Sequence, residues 1–557
     1  MALALAGGLV LFVAFPPLGL WPLVWVAPVF WLVLVQLPEL PGRRPLRAIW
    51  LAGALHWLLM LQGIRMAHWA NHLGWIALSF YLAAYLPCFV SLTRVAVHQL
   101  RISLMLAAPM VWTGLELARG YLFTGFSVGL LGHALSDQTM LIQVSDLFGA
   151  YGVSFFVMLV AACVTRVWQI GKSSRAVVPA LTLVVVSLAV LLYGRVRMGS
   201  LPRSVEGETL KVALIQHSVD KVFKPDRQRN LRTFQLYRDL TLQARDQHPD
   251  LDLVIWPESV LTENMPEYMC HGQFIPPAHI PLDPEQARKQ FQQIVAYFQD
   301  KVRGTADSLN RIWVDGEFRQ LEIYLLAGST AIDIGDGDHK EYNSVLLIHP
   351  EGRILDRYYK MHPVMFGEYL PFGDHLPWLY GLTPMRGGLT RGDRPSAFEV
   401  KGIRLSPSIC FESTVPHLIR RHVRQLGSAQ RTPDILVNVT DDGWFWGTSV
   451  LDLQLACAVF RAVELRRPFL VAANTGISAW IDGNGSVRER GPRRDKRIIV
   501  ARVGSDERWS LYLAWGDLPA ATCLAACLLL ALFGWVRGRR RAKKGERSEH
   551  VGRLTRG

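Results

Sequence analysis

Uncharged stretches long enough to cross a lipid bilayer flank a polar middle, and that pattern leaves few architectures open. A hydrocarbon layer takes roughly 20 apolar residues as helix. No water is there to satisfy backbone amides, so each stretch must close its hydrogen bonds within itself. Residues 3–37 carry no charge at all. That is too long for one crossing, and Pro16-Pro17 with Gly19 divides it into two helices. Further runs cover 48–64, 74–92, 102–117, 149–165 and 176–193, and one more, 518–536, follows the polar middle. The spacing predicts about eight spans. The first, at 2–15, is short enough for a secretory signal, yet no Lys or Arg precedes its apolar run, which argues for a retained helix.

The formal charge of +14 could suggest a polyanionic partner, but the basic residues sit mostly at the ends of the apolar runs. Their placement fits membrane topology and speaks against nucleic acid. With the N-terminus in the cytoplasm, inner loops carry Arg43, Arg44 and Arg47, then Arg94 and Arg101, then Arg166, Lys172 and Arg175. The tail adds Arg537, Arg539, Arg540, Arg541, Lys543 and Lys544, which suit anionic lipid. Outer connections are poor in such residues, with Arg65 and Arg119 the main exceptions. The expected organisation is a bundle of seven spans at 1–199, an exported domain at 200–506, and a last span with a basic cytoplasmic tail at 507–557.

The polar middle has ordinary globular composition. Apolar runs at 210–215, 251–256, 324–327, 344–348, 402–409, 434–439 and 469–473 read as strands. Helix-like stretches at 230–246, 285–301 and 450–467 alternate with them, which argues an α/β or layered αββα fold. Arg353 and the run Asp482-Gly483-Asn484-Gly485 fall in turn-like stretches that suit hairpins. Cys270, Cys410 and Cys457 lie in this middle part. Three is odd, so at least one thiol there stays unpaired within the domain, and Cys410 is the candidate. No zinc-type spacing such as CxxC or HExxH occurs, and no cofactor is implied.

Three short stretches carry the chemistry. Trp256-Pro257-Glu258, Tyr358-Tyr359-Lys360 and Ser408-Ile409-Cys410-Phe411-Glu412 place a carboxylate, an ammonium and a thiol, each near the end of a strand-like run. A thiol with its ordinary pKa near 8.5 is mostly protonated at neutral pH and needs a base. Glu258 can take that proton and later give it to a leaving group. Lys360 can hold a developing oxyanion and keep the thiol ionised. Singly, each has a plainer reading: Glu258 as a cap, Lys360 as a surface charge, Cys410 as a small buried apolar residue. Their order and context favour the catalytic one.

That context resembles the nitrilase superfamily and, within it, the membrane-embedded bacterial apolipoprotein N-acyltransferase family. The resembling stretches are Trp256-Pro257-Glu258-Ser259, the run from Tyr358 through Phe366-Gly367-Glu368-Tyr369-Leu370-Pro371, and Ile409-Cys410-Phe411-Glu412. They continue through Asn438, Trp444-Phe445, Arg461-Ala462-Val463-Glu464 and Asn474-Thr475-Gly476-Ile477-Ser478. Among the spans, Pro109-Met110-Val111-Trp112 with Glu116 and Arg119, Thr124-Gly125-Phe126 and Gly149-Ala150-Tyr151-Gly152 are similar too. The resemblance implies a nitrilase-type αββα sandwich on the outer side of a bacterial inner membrane. It implies a triad of Glu258, Lys360 and Cys410, with Glu368 and Glu412 as supporting carboxylates. It also implies ping-pong acyl transfer, from a membrane phospholipid donor to the α-amino group of a diacylglyceryl-modified apolipoprotein, by a chain taken as a monomer. Trp444, Phe445, Trp446 and Tyr369 are the expected substrate-binding residues. The aromatic trio could instead pack in the core or dip into the lipid interface.

Several positions depart from the family. Gln216-His217-Ser218 stands where Gly-Asn usually follows the first-strand Gln. Phe223-Lys224-Pro225-Asp226 replaces an expected Lys-Trp-Asp, and Phe411 stands where Tyr is common. His362-Pro363-Val364-Met365 alters the usual Leu-Val-Pro after that His, and the segment 262–322 reads as an enlarged insert. Two other functions remain open: a membrane-tethered amidase acting on a small exported substrate, and a transporter or scaffold with an inactive domain. Seven spans with matching motifs disfavour the first, and the complete triad disfavours the second. His56 in the third span reads as a packed, hydrogen-bonded residue. Arg461 and Glu464, three apart on a helix, read as a structural ion pair.

The charge asymmetry yields a test. Cysteine labels placed in loop 41–47 and after Arg541 should be shielded from an impermeant reagent added outside, while labels in 262–322 react. The opposite pattern would overturn the orientation.

Overall fold

The computed structural model describes residues 1–557 except 67, 201–208, 221–225, 264, 276–282, 315, 374, 384, 386, 507 and 555–557. The replaced loop at Phe223-Lys224-Pro225 and parts of 262–322 therefore lie outside the described residues. The chain forms two compact units. One comprises Met1–Leu61, Ile76–Val196 and Trp515–Gly557, and the other Gln62–Trp75 and Arg197–Ala514.

The first unit is helical. Each apolar run read from the sequence holds a helix, and the chain breaks at Pro16-Pro17 between Ala2–Ala14 and Ala27–Gln36. Among the described residues four helices are long and apolar enough to cross a membrane: Asn71–Gln99, Ser145–Ile170, Ser174–Gly199 and Leu518–Arg540. Ala2–Ala14, Trp21–Gln36 and Pro45–Met60 are apolar but shorter. Helix Leu104–Tyr121 buries Glu116 and Arg119 instead of presenting them outward. Glu116 Oε1 accepts from Trp112 Nε1 at 2.9 Å and from the Leu131 amide at 2.7 Å. Arg119 donates to the Gly129 carbonyl at 3.2 Å, its guanidinium 5.0 Å from the Trp57 ring centroid. These two side chains satisfy backbone groups of the non-helical stretch after the helix, as an apolar interior requires. His56 is packed as expected, its Nδ1 2.8 Å from the Gly8 carbonyl oxygen.

The second unit is a sandwich. Its strands are β1 Thr209–Gln216, β2 Leu253–Trp256, β3 Glu267–Met269, β4 Arg311–Val314, β5 Glu317–Gln320, β6 Tyr324–Asp333, β7 Lys340–Ile348 and β8 Ile354–Tyr359. They continue with β9 Phe398–Val400, β10 Ile403–Ile409, β11 Ile435–Asp441, β12 Phe469–Asn474, β13 Ala479–Ile481, β14 Val487–Arg490 and β15 Arg497–Gly504. One sheet runs β15-β1-β2-β6-β7-β8, with β3 also paired to β6, and the other runs β14-β13-β12-β11-β10-β9. Alternation along β1 shows how the layers arise. Val212 and Leu214 face the core between the sheets, with Ile255, Leu405 and Val437. Ala213 and Ile215 face an outer core containing Tyr237 and Leu240 of helix Arg227–Gln247 and Phe298 and Val302 of helix Pro284–Asn310. Central strands are thus buried on both sides, which is why β2 reads as an unbroken apolar run. Helices Pro416–Ser428 and Val450–Leu465 accompany the second sheet. Arg461 and Glu464 form the expected pair there, Nη2 to Oε1 at 2.8 Å.

The segment 262–322 is more integral than an insert suggests. It supplies β3 and the Pro284–Asn310 helix that covers the first sheet, and only hairpin β4–β5 stands apart as its own two-stranded sheet. Both expected hairpins form, at 349–353 between β7 and β8 and at 482–486 between β13 and β14.

Gly328 on β6 keeps room for the turn after β2. A Cβ there would lie 2.5 Å from both the Glu258 Cα and the Pro257 carbonyl oxygen, so backbone would have to move. Gly304, on the exposed side of helix Pro284–Asn310, meets nothing within 4 Å. Gly328→Ala should therefore cost about 1–3 kcal/mol from overpacking, and Gly304→Ala should be neutral or gain up to ~1 kcal/mol of helix propensity. Thermal unfolding of the detergent-solubilised protein checks both, and an unshifted Gly328→Ala melt would contradict the packing.

Candidate active site

The thiol sits on a sharp turn. Strand β10 ends at Ile409, and Cys410 follows in a left-handed conformation, φ 52°, opening the short 3-10 turn Cys410–Thr414. A non-glycine residue is rarely held there unless its surroundings over-determine it. Glu412 does so. Its Oε2 accepts from the Ile409 amide at 2.7 Å and from the Tyr358 hydroxyl at 2.8 Å. Its Oε1 accepts from the Met361 and His362 amides at 2.7 and 2.9 Å. One buried carboxyl thereby ties the turn bearing Cys410 to the chain on both sides of Lys360. Asn438 of β11 braces the turn from the neighbouring strand, Nδ2 donating to the Cys410 carbonyl at 3.2 Å.

Lys360 follows β8 and is 1% exposed. Its ammonium donates to Glu368 Oε1 at 2.6 Å and lies 3.7 Å from Glu258 Oε1. Burial pulls this ammonium down, but Glu368, Glu258 and Cys410 together outweigh it and hold the group above its ordinary range, so it stays cationic. Glu258, just past β2, accepts from Asn343 Nδ2 at 2.6 Å and from the Asp441 amide at 2.8 Å. Burial raises its carboxyl, Lys360 pulls it back, and Glu368 and Asp441 push it up again. The result is a stronger base than a free carboxylate. The Cys410 thiol is also raised well above its ordinary value, by burial first and by Glu258 next, against the opposing pull of Lys360. The expectation that Lys360 keeps the thiol ionised is corrected on this point. Burial first, and the carboxyl groups with it, outweigh the cation, so the thiol lies well above its ordinary value.

Glu258, Lys360, Cys410, Glu368 and Glu412 thus form one connected cluster. Tyr369, next to Glu368, is half-buried in the stretch that Glu368 anchors by accepting from the Val364 amide at 2.8 Å. Trp444 and Phe445 lie in a short turn after β11, both half-buried, and Trp446 is 43% exposed beneath the Arg494 guanidinium, 5.5 Å from its ring centroid. The departure at Phe411 meets the His that precedes another: the His362 and Phe411 rings stack with centroids 6.1 Å apart. Gln216, which precedes a further departure, is bound through both its side-chain polar atoms, Oε1 accepting from the Ser478 amide at 2.8 Å and Nε2 donating to the Asp495 carbonyl at 2.9 Å.

Sequence reasoning missed three members of this cluster. Asn343 donates to Glu258 and, at 3.4 Å, to Glu368. The pairing of β7 with β8 carried a signal for it, since Ser344 opposite Tyr359 sets Asn343 beside Lys360. Asp441 presents its amide to Glu258 and receives Asn474 Nδ2 on Oδ1 at 2.8 Å. Asp442 follows, 3% exposed, with Thr440 Oγ1 donating to its Oδ1 at 2.8 Å. Among the described residues no group of three His, Cys, Asp or Glu side chains is placed to hold a metal ion, and no disulfide forms. The cluster can remove a thiol proton, hold a cation beside a developing oxyanion, and return the proton to a leaving group.

Comparison with known proteins places this chemistry in a family. Residues 7–163 match the family model described as apolipoprotein N-acyltransferase N-terminal domain, and residues 211–508 match that of carbon-nitrogen hydrolase. The chain is 35% identical to the apolipoprotein N-acyltransferase of Rhodopirellula baltica, over 96% of this chain and 98% of that one. It is 31% identical to that of Geobacter metallireducens, over 96% and 95%. Among solved structures it is similar to an amidase from Nesterenkonia sp., with 17% identity over 57% of this chain and 96% of that one, at a TM-score of 0.35. The chain carries an enzyme's domain, of the carbon-nitrogen hydrolase kind, and is an acyltransferase belonging to the apolipoprotein N-acyltransferase family.

Proposed function

We propose that this protein moves a fatty acyl chain from a membrane phospholipid to the α-amino group of an S-diacylglyceryl-cysteine at the start of an apolipoprotein, through a thioester on Cys410. The observation that carries this reading is the Cys410 thiol on a left-handed turn that Glu412 ties to the segment bearing Lys360, a buried cation that meets buried Glu258 and Glu368. Glu258 takes the thiol proton as sulfur attacks the ester carbonyl, and the oxyanion develops towards Lys360. Collapse expels the lysophospholipid alkoxide, which takes the proton from Glu258 and leaves the thioester. In the second half the acceptor amine attacks, a nitrogen proton passes to Glu258, and the departing thiolate recovers it. Glu368 and Asn343 hold Lys360 and Glu258 in register, and Glu412 holds Cys410 against both.

A lipid substrate is further supported by the stretch that Glu368 anchors. Phe366 and Phe372 are exposed there, and Leu376 and Trp378 follow in the next turns, also exposed. Aromatic and aliphatic side chains left bare in one segment suit a lipid interface better than water. In this reading the helices are eight spans, 200–506 lies outside a bacterial inner membrane, and Trp444, Phe445, Trp446 and Tyr369 line the acyl path.

Glu258→Gln, Lys360→Ala and Cys410→Ala should each lower lipoprotein N-acylation by about 10⁴-fold or more, with double changes adding little because the groups act as one unit. Mass spectrometry of lipoprotein N-termini from cells carrying each variant checks this. Substantial N-acylation by Cys410→Ala would end the covalent mechanism.

A further inference from the structure

The basic residues at the helix ends that the charge pattern places inside are not all used alike. Arg94 donates to the carbonyls of Leu34, Val35 and Pro38 at 3.3, 3.0 and 2.8 Å, where helix Ala27–Gln36 ends. That is a cap, and its guanidinium is occupied by backbone. Arg166 has one side-chain bond, Nη1 donating to Gln36 Oε1 at 3.3 Å. Arg175 bonds only through its backbone amide, to Ser173 Oγ at 3.4 Å. Neither arginine has an ion pair among the described residues, and the connections at 94–103 and 166–177 hold five Lys and Arg with no Asp or Glu. Topology alone would account for such charges if they stood scattered in water. They do not: Arg166 and Arg175 border one cavity of about 460 Å³ within the helical unit.

The chain builds that cavity by a local reversal. Helix Ser145–Ile170 ends at Gly171, whose φ of 63° turns the chain back through Ser174–Ala176 into helix Val177–Gly199. Ser173 and Arg175 thereby line the same space as Arg166. Ser103 lines it too, and its hydroxyl does not turn back to cap the helix that it opens. Ile170 and Val178 supply apolar wall. A water molecule takes about 30 Å³ of liquid, so a bare small anion would leave most of this volume unfilled. Trp168 and Val178 are 69% and 63% exposed on the adjoining helix ends, surfaces that suit acyl chains and the bilayer interface. We propose that the cavity seats the phosphate group of an anionic phospholipid in the leaflet facing the cytoplasm; this rests on the eight-span orientation above. The guanidinium forks of Arg166 and Arg175 match phosphate oxygens, and basic pockets between membrane helices on this side take anionic headgroups. A zwitterionic headgroup would bring an ammonium among connections that hold no carboxylate for it. No residue of the Cys410 cluster lines the cavity, so this lipid is a fixed ligand of the bundle and separate from the acyl donor.

The test uses the full chain, purified in neutral detergent, stripped of lipid and titrated with short-chain phosphatidylglycerol. Native mass spectrometry counts bound lipid, and thermal melting reads the stabilisation that binding confers. Wild type should retain one phosphatidylglycerol and melt higher with it. Arg166→Gln combined with Arg175→Gln should weaken that binding by about tenfold or more. Arg43→Gln combined with Arg44→Gln removes the same charge from another inner loop and should leave binding within about twofold. Short-chain phosphatidylcholine and inorganic phosphate should each bind about tenfold more weakly than phosphatidylglycerol, or worse. Equal weakening by the two pairs of substitutions would overturn the proposal, since it would mark general surface charge. Phosphatidylcholine bound as tightly would overturn the anionic headgroup, and inorganic phosphate bound as tightly would give the cavity to a soluble anion instead. If the double variant does not fold, Arg175→Gln alone, at an exposed side chain, should still weaken binding by about threefold or more, and unchanged binding there would overturn the site. Orientation is tested apart. A label in loop 41–47 that reacts with the outside reagent would overturn the assignment to the cytoplasmic leaflet, with lipid binding in detergent unaffected.

Discussion

A fully buried ammonium is expensive unless carboxylates meet it at short range, and Lys360 meets Glu368 at 2.6 Å and Glu258 at 3.7 Å. Removing one partner of such a pair costs about 3–5 kcal/mol, because it strands the other charge. The requirement reaches outward. Glu368 must hold the stretch after Lys360, Asn343 must span both carboxylates, and Asp441 must point its amide at Glu258. Glu412 then extends the same frame to Cys410, since it accepts from amides on both segments. The two sheets are what allow these five strand ends to converge, β2, β7 and β8 from one and β10 and β11 from the other. Burial and the carboxyl groups outweigh the pull of Lys360 on the sulfur, and the Cys410 thiol is held well above its ordinary value.

Much of the fold was legible, and the reason is burial. β1, β2, β10, β11 and β12 read as strands because both faces are covered, nearly every position is buried and few residues carry a charge. β14 and β15 escaped because their burial alternates along the strand with charged residues between. Helix Pro416–Ser428 escaped because three Arg and two His hide a clean apolar stripe of Leu418, Ile419, Val423 and Leu426. In the helical unit the runs were found, but Ala2–Ala14 and Pro45–Met60 are shorter than a membrane-crossing helix by themselves. Length, not hydropathy, separates them from Ser145–Ile170.

At the site, order and chemistry carried Glu258, Lys360 and Cys410, the family resemblance added Glu368 and Glu412, and the folded chain brings all five together. Asn343 and Asp442 were not legible, for different reasons. Asn343 matters through strand register, which a list of apolar runs does not contain. Asp442 is raised to about 8 by burial, against Thr440 and with Asp441 and Glu258 adding to the rise, a property of the assembled interior that no local pattern expresses. The direction of the Cys410 shift was misjudged for the same reason. A lysine in the sequence promises a stabilised thiolate, and Lys360 does pull the thiol down, but burial first and then Glu258, with Asp442 and Glu368, raise it further.

A waiting acyl group on Cys410 is the claim on which the account stands. The most direct measurement is the intact mass of the purified protein after incubation with phospholipid and no acceptor. The account predicts a gain of one fatty acyl chain, located on Cys410, removed by neutral hydroxylamine and absent in Cys410→Ala. Steady release of free fatty acid with no added mass, unaffected by an acceptor peptide, would contradict it and make this chain a hydrolase.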